Sequence, residues 1–171
     1  NEKSTLEDQI MNIGFVGLGI MGAPMAGHLM AGGHQIITCI HKTPAPKTLI
    51  ESGLEVVENA KEVAKNSEII IVMVPDTPQV QDVLFGQTKE FANAIKGKGC
   101  GYLDAPVSGG ELGAKAASLT IMVGGSKEDF SRALPIFELM GSNITLVGEN
   151  GVGQTTKVAN QIVVALTIEA V

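Results

Sequence analysis

The sequence is poor in the residues on which disulfide-rich, metal-binding and nucleic-acid-binding proteins depend. It has no tryptophan, 4% aromatic residues, three histidines and two cysteines, Cys39 and Cys100. Two cysteines are too few for a disulfide framework, and the dispersed histidines and cysteines do not form a metal-binding cluster. We therefore expect no bound metal. The formal net charge is −6 without a basic patch, which argues against nucleic acid as a partner. No apolar run could span a bilayer and no signal-peptide pattern is present, so we expect no membrane partner and a reducing, cytoplasmic setting.

Glycine and apolar residues are abundant instead, with 21 glycines and 44% hydrophobic residues among 171. This composition is typical of α/β proteins, in which tight turns join strands to helices. In the first half, we predict strands at 12–16, 35–40, 54–57 and 69–74, and helices at 20–31, 46–52, 59–65 and 79–85. The alternation predicts an α/β fold with a Rossmann-type, doubly wound and mostly parallel sheet.

The second half continues the alternation and ends in a long helix. We predict strands at 102–103, 119–123 and 143–147, a loop at 104–110, and helices at 127–140 and from 154 onwards. The last helix has apolar residues on nearly all sides, so we expect it to be buried, under a partner subunit or a further domain. Residues 1–10 are polar and precede Met11, and we treat them as an extension.

A glycine fingerprint follows the first predicted strand and opens a predicted helix. It consists of Gly17, Leu18, Gly19, Ile20, Met21 and Gly22, in the order Gly-x-Gly-x-x-Gly. Gly17 permits a tight turn, Gly19 lets a pyrophosphate approach the backbone, and Gly22 permits close helix–sheet packing. The helix N-terminus offers its N–H groups to the phosphates. The pattern therefore predicts a dinucleotide site, the alternative being a glycine-rich turn without a ligand.

The end of the second predicted strand bears on the choice of cofactor. An NAD-preferring site usually carries an acidic residue there, about 20 residues after the glycines. This chain has His41, Lys42 and Thr43 instead. A cation and a hydroxyl suit a 2′-phosphate, so the pattern favours NADP(H) over NAD(H). An ordinary solvated surface loop is the alternative interpretation.

A hydroxyl and several backbone amides follow the predicted strand at 102–103. Ser108, Gly109 and Gly110 come at the end of the run Asp-Ala-Pro-Val-Ser-Gly-Gly. In open α/β sheets, ligands bind at the carboxyl edge of the strands. This segment could therefore hold a substrate carboxylate, and the alternative is a plain turn.

The last predicted helix carries a lysine among apolar residues. Lys157 and Asn160 are three residues apart and share a helix face. Burying a lysine costs free energy unless the residue has a partner or a role. Beside a nicotinamide, it could donate a proton to a carbonyl oxygen as hydride reaches the carbon. The alternative is a lysine that extends its ammonium to solvent from an apolar stem.

Three ordered motifs resemble the signatures of the β-hydroxyacid dehydrogenase family. They are the glycine segment 14–22, the Asp-Ala-Pro-Val-Ser-Gly-Gly segment 104–110, and Gly153-x-x-x-Lys157-x-x-Asn160. The likeness extends from Met11 to Val171. It implies a Rossmann-type dinucleotide-binding domain at 11–152, and at 153–171 the start of the helix that leads into an all-helical domain.

The resemblance also implies a role for the matching residues. Lys157 would be the general acid, and Asn160 would orient the substrate, with Gln161 where many relatives carry a second asparagine. The segment 108–110 would bind the substrate carboxylate.

Val74 and Pro75 would line the cofactor cleft, again by resemblance. The chain departs from the family pattern between Lys98 and Gly101, where relatives insert a strand, a Ser/Thr-rich loop with proline, and a helix. Relatives also continue into the all-helical domain beyond Val171, and that domain completes the substrate pocket and usually the dimer.

The activity that the resemblance implies is NADPH-dependent reduction of tartronate semialdehyde to D-glycerate. Segments 74–80 and 158–166 resemble the members that perform this reaction more than the members that act on 3-hydroxyisobutyrate. A 3-hydroxyisobutyrate dehydrogenase-like enzyme and a catalytically inactive dinucleotide-binding fragment are the alternatives. The expected partners are a small hydroxyacid or semialdehyde and, in the full-length form, further copies of the chain.

Overall fold

Residues 10–40, 44–73, 93, 96–97 and 99–169 are described in the computed structural model. They belong to two units. The first comprises Asn1–Pro75 and Gly109–Ser118, and the second comprises Asp76–Ser108 and Leu119–Val171.

The first unit is built on four parallel strands. These are β1 (Asn12–Val16), β2 (Gln35–Cys39), β3 (Glu55–Val57) and β4 (Ile69–Val72), in the order β3-β2-β1-β4. The central strand β1 buries Ile13 and Phe15 completely, which explains its continuous apolar run. The two strands before and after the glycine fingerprint therefore lie side by side, with their carboxyl ends at one edge of the sheet.

Helices join these strands as the sequence predicts. They are α1 (Gly22–Ala31), α2 (Lys47–Glu51) and α3 (Ala60–Lys65). The unit also contains α4 (Gly110–Lys115), which follows β5 of the second unit. Helix α1 packs Met25 and Leu29 into the core and ends at Gly32, before Gly33 with φ of +93°. Helix α3 is capped by Asn59, whose side chain accepts a hydrogen bond from the Glu62 N–H at 3.1 Å.

The described part of the second unit includes a three-stranded sheet and two long helices. The strands are β5 (Val107–Ser108), β6 (Leu119–Gly124) and β7 (Gly141–Gly148), and the helices are α5 (Lys127–Glu138) and α6 (Val152–Glu169). Strand β6 pairs antiparallel with β5 and parallel with β7. Its core includes Leu119, Ile121 and Val123, which are at most 1% exposed. The predicted α/β fold with mostly parallel strand pairing is confirmed.

Three local predictions are wrong. Residues 102–103 form no strand, and only Asp104 makes an isolated bridge to Gly124. The predicted loop at 104–110 contains β5, because Val107 and Ser108 pair with β6. Helix α4 was not predicted, although Glu111 and Lys115 form an i, i+4 ion pair of 2.6 Å along it. The predicted helix 79–85 lies outside the described residues.

The last helix exposes its apolar residues within the described chain. Ile162, Val163, Val164 and Leu166 on α6 are between 42% and 63% exposed. The helix packs against β6 and β7 through its earlier turns. Burial of the later turns under a partner subunit or a further domain stays a prediction. Within the described part of the chain, no helix is both long and apolar enough to cross a membrane.

Candidate functional site

The glycine fingerprint forms a tight turn between β1 and α1. Gly17 follows β1 directly and has φ of +103°, a conformation that L side chains rarely adopt. A Cβ atom at Gly22 would collide with the Gly17 carbonyl oxygen and lie 3.2 Å from the Phe15 ring. A Cβ atom at Gly19 would meet no atom within 4 Å. The first and third glycines are therefore required by the protein itself, whereas Gly19 borders open space.

The start of α1 has the properties of an anion site. No side chain caps it, and no acidic residue lies in its first turn. The Ala23 N–H bonds to the Gly19 carbonyl at 3.0 Å, so the turn leads directly into the helix. A helix N-terminus of this kind presents N–H groups and a partial positive charge to a phosphate. Open space at Gly19 and an uncapped helix start fit a dinucleotide pyrophosphate.

The neighbouring strand ends close to this turn. The Thr38 hydroxyl, 1% exposed, donates to the Phe15 carbonyl at 2.7 Å and ties β2 to β1. His41, Lys42 and Thr43 come shortly after β2 in the sequence, and they lie outside the described residues. Val74 and Pro75 after β4 also lie outside them.

The predicted carboxylate-binding segment joins a strand to a helix. Ser108 is half-buried at the end of β5, where it pairs with Thr120 of β6. Gly109 and Gly110 have φ of +132° and +60° and turn the chain directly into α4. A Cβ atom at Gly110 would meet nothing within 4 Å, so its backbone borders open space.

The predicted general acid lies on α6. Lys157 is half-buried, and its ammonium donates to the Gln161 side-chain oxygen at 3.0 Å. Among the residues that the structure describes, no carboxylate forms an ion pair with it. Burial lowers the pKa of Lys157. A partly desolvated lysine without a counter-ion is a better proton donor than an exposed one.

Asn160 also contacts the same glutamine. Its side-chain nitrogen lies 3.4 Å from the Gln161 oxygen, so Lys157 and Asn160 share one acceptor. The sequence pattern paired Lys157 with Asn160 at i+3, whereas the observed hydrogen bond of Lys157 reaches Gln161 at i+4. The sequence spacing allows Lys157 to contact either residue, because positions i+3 and i+4 lie on the same helix face as position i.

Asp104 is a residue to which the sequence patterns assigned no role. Its carboxylate is 3% exposed and accepts hydrogen bonds from the backbone N–H groups of Gly151 and Gln154. The only feature of the sequence that marked Asp104 was an acidic residue directly after the predicted strand at 102–103. Its partners, 47 and 50 residues further along the chain, could not be identified from that signal.

The residues of the second unit thus include Ser108, Lys157, Asn160 and the buried Asp104, and the glycine turn belongs to the first unit. No group of three or more His, Cys, Asp or Glu side chains that could hold a metal ion occurs in the described ranges.

Comparison with protein families identifies the first motif independently. A family described as the NAD binding domain of 6-phosphogluconate dehydrogenase matches residues 12–89 and 85–148. The matched segments cover the glycine turn, all seven strands and the segment 108–110.

Several relatives of this chain are named for hydroxyacid or oxoacid substrates. The chain is 51% identical to the 2-hydroxy-3-oxopropionate reductase of Escherichia coli, over 94% of this chain and 63% of the relative. It is 36% identical to the mitochondrial 3-hydroxyisobutyrate dehydrogenase of Drosophila melanogaster, over 92% of this chain and 55% of the relative. A structure of Mycobacterium tuberculosis 3-hydroxyisobutyrate dehydrogenase with L-serine superposes with a TM-score of 0.84 at 32% identity, covering 95% of this chain and 62% of that one.

The chain therefore spans less than two thirds of the length of these relatives. The alignment with the Escherichia coli enzyme extends over 185 positions, more than the 171 residues of this chain, so that enzyme has positions with no counterpart here. This agrees with the shortening that the resemblance indicates in the sequence.

Proposed function

This chain belongs to the β-hydroxyacid dehydrogenase family, and we propose that it serves the NADPH-dependent reduction of tartronate semialdehyde (2-hydroxy-3-oxopropanoate) to D-glycerate. The observation that carries the proposal is the state of Lys157, half-buried, bonded to a neutral amide and lowered in pKa by desolvation. The 51% identity to a reductase of this name supports the choice of substrate.

Lys157 would act as the general acid. The aldehyde oxygen gains electron density when the carbonyl carbon is reduced, and the ammonium donates a proton to that oxygen. The lysine is left neutral, and a lowered pKa makes this transfer more favourable. The amide oxygen of Gln161 holds the ammonium without neutralising its charge, whereas a carboxylate partner would raise its pKa.

The glycine turn would hold the cofactor. The first-turn N–H groups of α1 would bind the pyrophosphate, and the space at Gly19 admits it to the backbone. When bound, NADPH supplies the hydride that reduces the aldehyde carbon. Val74 and Pro75 would line the same cleft, as the resemblance implies.

The preference for NADPH is supported by the sequence after β2. His41, Lys42 and Thr43 replace the acidic residue that would bind the ribose hydroxyls of NAD(H). Lys42 would pair with the 2′-phosphate, with the hydroxyl of Thr43 as a further donor. A carboxylate in that place would repel this phosphate.

The segment 108–110 would bind the substrate carboxylate. The Ser108 hydroxyl and the backbone N–H groups of Gly109 and Gly110 are donors, and the glycines leave the backbone accessible. Asn160 would orient the substrate beside Lys157. Fixing the carboxylate limits the orientations of the aldehyde, and such restriction contributes much of an enzyme's rate acceleration.

The domain division is also a proposal. Residues 11–152 would form the dinucleotide-binding domain, and 153–171 would begin the helical domain that the resemblance implies. The exposed apolar residues of α6 support a role for this helix in packing against another domain or a further copy of the chain.

The deciding experiment is NADPH oxidation by the purified chain with tartronate semialdehyde, followed by the loss of NADPH absorbance. We expect turnover with this substrate and a lower kcat/KM with NADH. The second candidate function is a 3-hydroxyisobutyrate dehydrogenase-like activity, which the identity to such dehydrogenases favours. The same assay with the semialdehyde of 3-hydroxyisobutyrate distinguishes the two functions. Binding of NADPH without turnover of either substrate would contradict the proposal and leave a dinucleotide-binding fragment.

A further inference from the structure

The carboxylate of Asp104 caps the helix that carries Lys157. One oxygen accepts the Gly151 N–H at 2.7 Å, and the other accepts the Gln154 N–H at 3.0 Å. These N–H groups lie at the start of α6. The first N–H groups of a helix have no carbonyl acceptor within the helix itself. Caps are usually supplied by the residue just before the helix. Here the cap comes from a distant segment, so it also fixes the helix against that segment.

Two glycines confine the carboxylate from both sides. A Cβ atom at Gly153 would lie 2.8 Å from one carboxylate oxygen of Asp104, and a Cβ atom at Gly124 would lie 2.6 Å from the other. Gly153 also has the Met122 carbonyl 2.6 Å from its would-be Cβ. The start of α6 therefore contacts Asp104 and β6 closely, and small displacements would create clashes.

The segment of Asp104 is itself held firmly to β6. The Asp104 N–H donates to the Gly124 carbonyl at 3.0 Å, and the Gly124 N–H donates to the Asp104 carbonyl at 2.8 Å. Four residues later, Ser108 pairs with Thr120 of the same strand. Asp104 and Ser108 thus belong to one short segment that follows β6 along its length.

We propose that Asp104 is a positioning residue for the reaction. Its carboxylate joins the start of α6 to the segment that carries Ser108, and so sets where Lys157 stands relative to the bound substrate carboxylate. The inference rests on the proposed function, because Lys157 and Ser108 take their roles from it. Lys157 lies three residues after Gln154, and a helix rises 1.5 Å per residue, so a displaced helix start carries the ammonium with it.

The first test is the variant Asp104→Asn. It keeps the size of the side chain but places an NH2 group against one of the two N–H donors. We expect kcat for tartronate semialdehyde to fall about 100-fold, the effect that a misplacement of about 1 Å can have. The affinity for NADPH should stay unchanged, because the glycine turn belongs to the first unit.

The matched control is Ser126→Ala. Ser126 caps α5 of the same unit by accepting the Asp129 N–H at 3.1 Å. Ser126→Ala removes the side-chain cap of a helix that carries no proposed catalytic residue, whereas Asp104→Asn disturbs the cap of the helix that carries Lys157. We expect the control to lower Tm and leave kcat unchanged. Equal loss of kcat in both variants would show that Asp104 acts through stability alone and would overturn the proposal.

A second readout does not depend on turnover. The lysines can be reductively methylated with ¹³C-formaldehyde and a borohydride reductant, and the Lys157 signal is identified by its loss in Lys157→Met. In the unchanged chain, this signal should titrate below the ordinary value of a lysine, because burial lowers the pKa of Lys157. In Asp104→Asn the midpoint should move, whereas in Ser126→Ala it should not. An unmoved midpoint together with an unchanged kcat would overturn the proposal.

The two readouts separate this inference from the proposed function. If the unchanged chain does not turn over the substrate, the proposed function fails, and the titration of Lys157 still decides whether Asp104 positions it. If Asp104→Asn does not fold, Gly153→Ala replaces it, because the added methyl displaces the start of α6 while keeping the carboxylate. We expect the same shift of the Lys157 midpoint, and an unmoved midpoint would overturn the inference.

Discussion

Lys157 and Gln161 are joined by a hydrogen bond of 3.0 Å between the ammonium and the amide oxygen, one helical turn apart. The cation is half-buried, and no carboxylate within the described residues forms an ion pair with it. A neutral partner fixes the direction of the ammonium and leaves its pKa under the control of desolvation. The helix thereby supplies a positioned acid from its own residues.

Replacing this lysine tests its role directly. Lys157→Met should lower kcat for NADPH-dependent reduction by about 100-fold or more, the contribution of a general acid. NADPH affinity should be retained, and Tm should not fall, because an apolar side chain replaces a partly desolvated charge. Steady-state kinetics, NADPH titration and thermal unfolding check these outcomes. Lys127→Met changes an exposed lysine of α5 and is the matched control; parallel loss of NADPH binding and turnover in Lys157→Met would contradict the assignment.

The reaction should depend on pH with opposite signs in its two directions. Reduction needs protonated Lys157, so its rate should fall as pH rises through the lowered pKa of this residue. Oxidation of D-glycerate needs the neutral amine, so its rate should rise over the same interval. Because the folded pKa lies below the unfolded one, the unfolded chain binds more protons between them, and the stability contributed by this group rises with pH there. Initial rates measured against pH in both directions give the midpoint of the titration. If both rates changed with pH in the same direction, Lys157 would be excluded as the titrating group.

The two glycines of the cofactor turn should behave differently. Gly22→Ala places a methyl group against the Gly17 carbonyl, so we expect a loss of about 1–3 kcal/mol of stability from overpacking. Gly19→Ala faces open space and should leave Tm nearly unchanged, yet weaken NADPH binding because the methyl occupies the approach to the backbone. Thermal unfolding with and without NADPH distinguishes them. If Gly19→Ala binds NADPH as well as the unchanged chain, the pyrophosphate does not approach there.

The residue proposed to select the cofactor is Lys42. Lys42→Ala should raise KM for NADPH about tenfold, since a hydrogen bond to a charged group contributes about 1.5 kcal/mol or more. KM for NADH should stay the same, because NADH has no 2′-phosphate. Parallel kinetics with the two cofactors measure the ratio. An equal change for both would mean that Lys42 contacts a part that the cofactors share.

Carboxylate binding at the end of β5 can be tested by Ser108→Ala. We expect KM for tartronate semialdehyde to rise about tenfold, corresponding to the loss of a charge-assisted hydrogen bond. KM for NADPH should not change. Ser131→Ala removes an exposed hydroxyl on α5 and serves as the control. A Ser108→Ala variant with unchanged KM for the semialdehyde would place the carboxylate elsewhere.

The regular part of the fold could be predicted because each element carries its own pattern. Strand β1 was predicted with both ends correct, since an apolar run ends at a glycine there. Helix α3 was predicted at 59–65 and is observed at Ala60–Lys65, where Asn59 is its N-cap. These signals are local, so neighbouring residues contain all the information.

The parts that could not be predicted depend on distant residues. Val107 and Ser108 become a strand only because β6 offers a partner, and the preceding Asp-Ala-Pro sequence favours a loop. The two following glycines indicated a turn and hid helix α4. The role of Asp104 as a cap depends on residues 151 and 154, far along the chain. Lys157 and the glycine turn can be recognised from sequence motifs of the family. The contacts that orient them have no such motif.

The strand order of the first sheet has a consequence for how the chain acquires its structure during synthesis. Strand β1 leaves the ribosome before β2 and β4, yet one of its edges pairs with β2 and the other with β4, where Ile13 is opposite Ile69. Until β4 has emerged, one edge of β1 has no partner and can pair with other chains. The glycine turn is attached to that same strand. A nascent chain should therefore gain its affinity for a nucleotide in one late step, when β4 closes the sheet, rather than gradually as each helix forms.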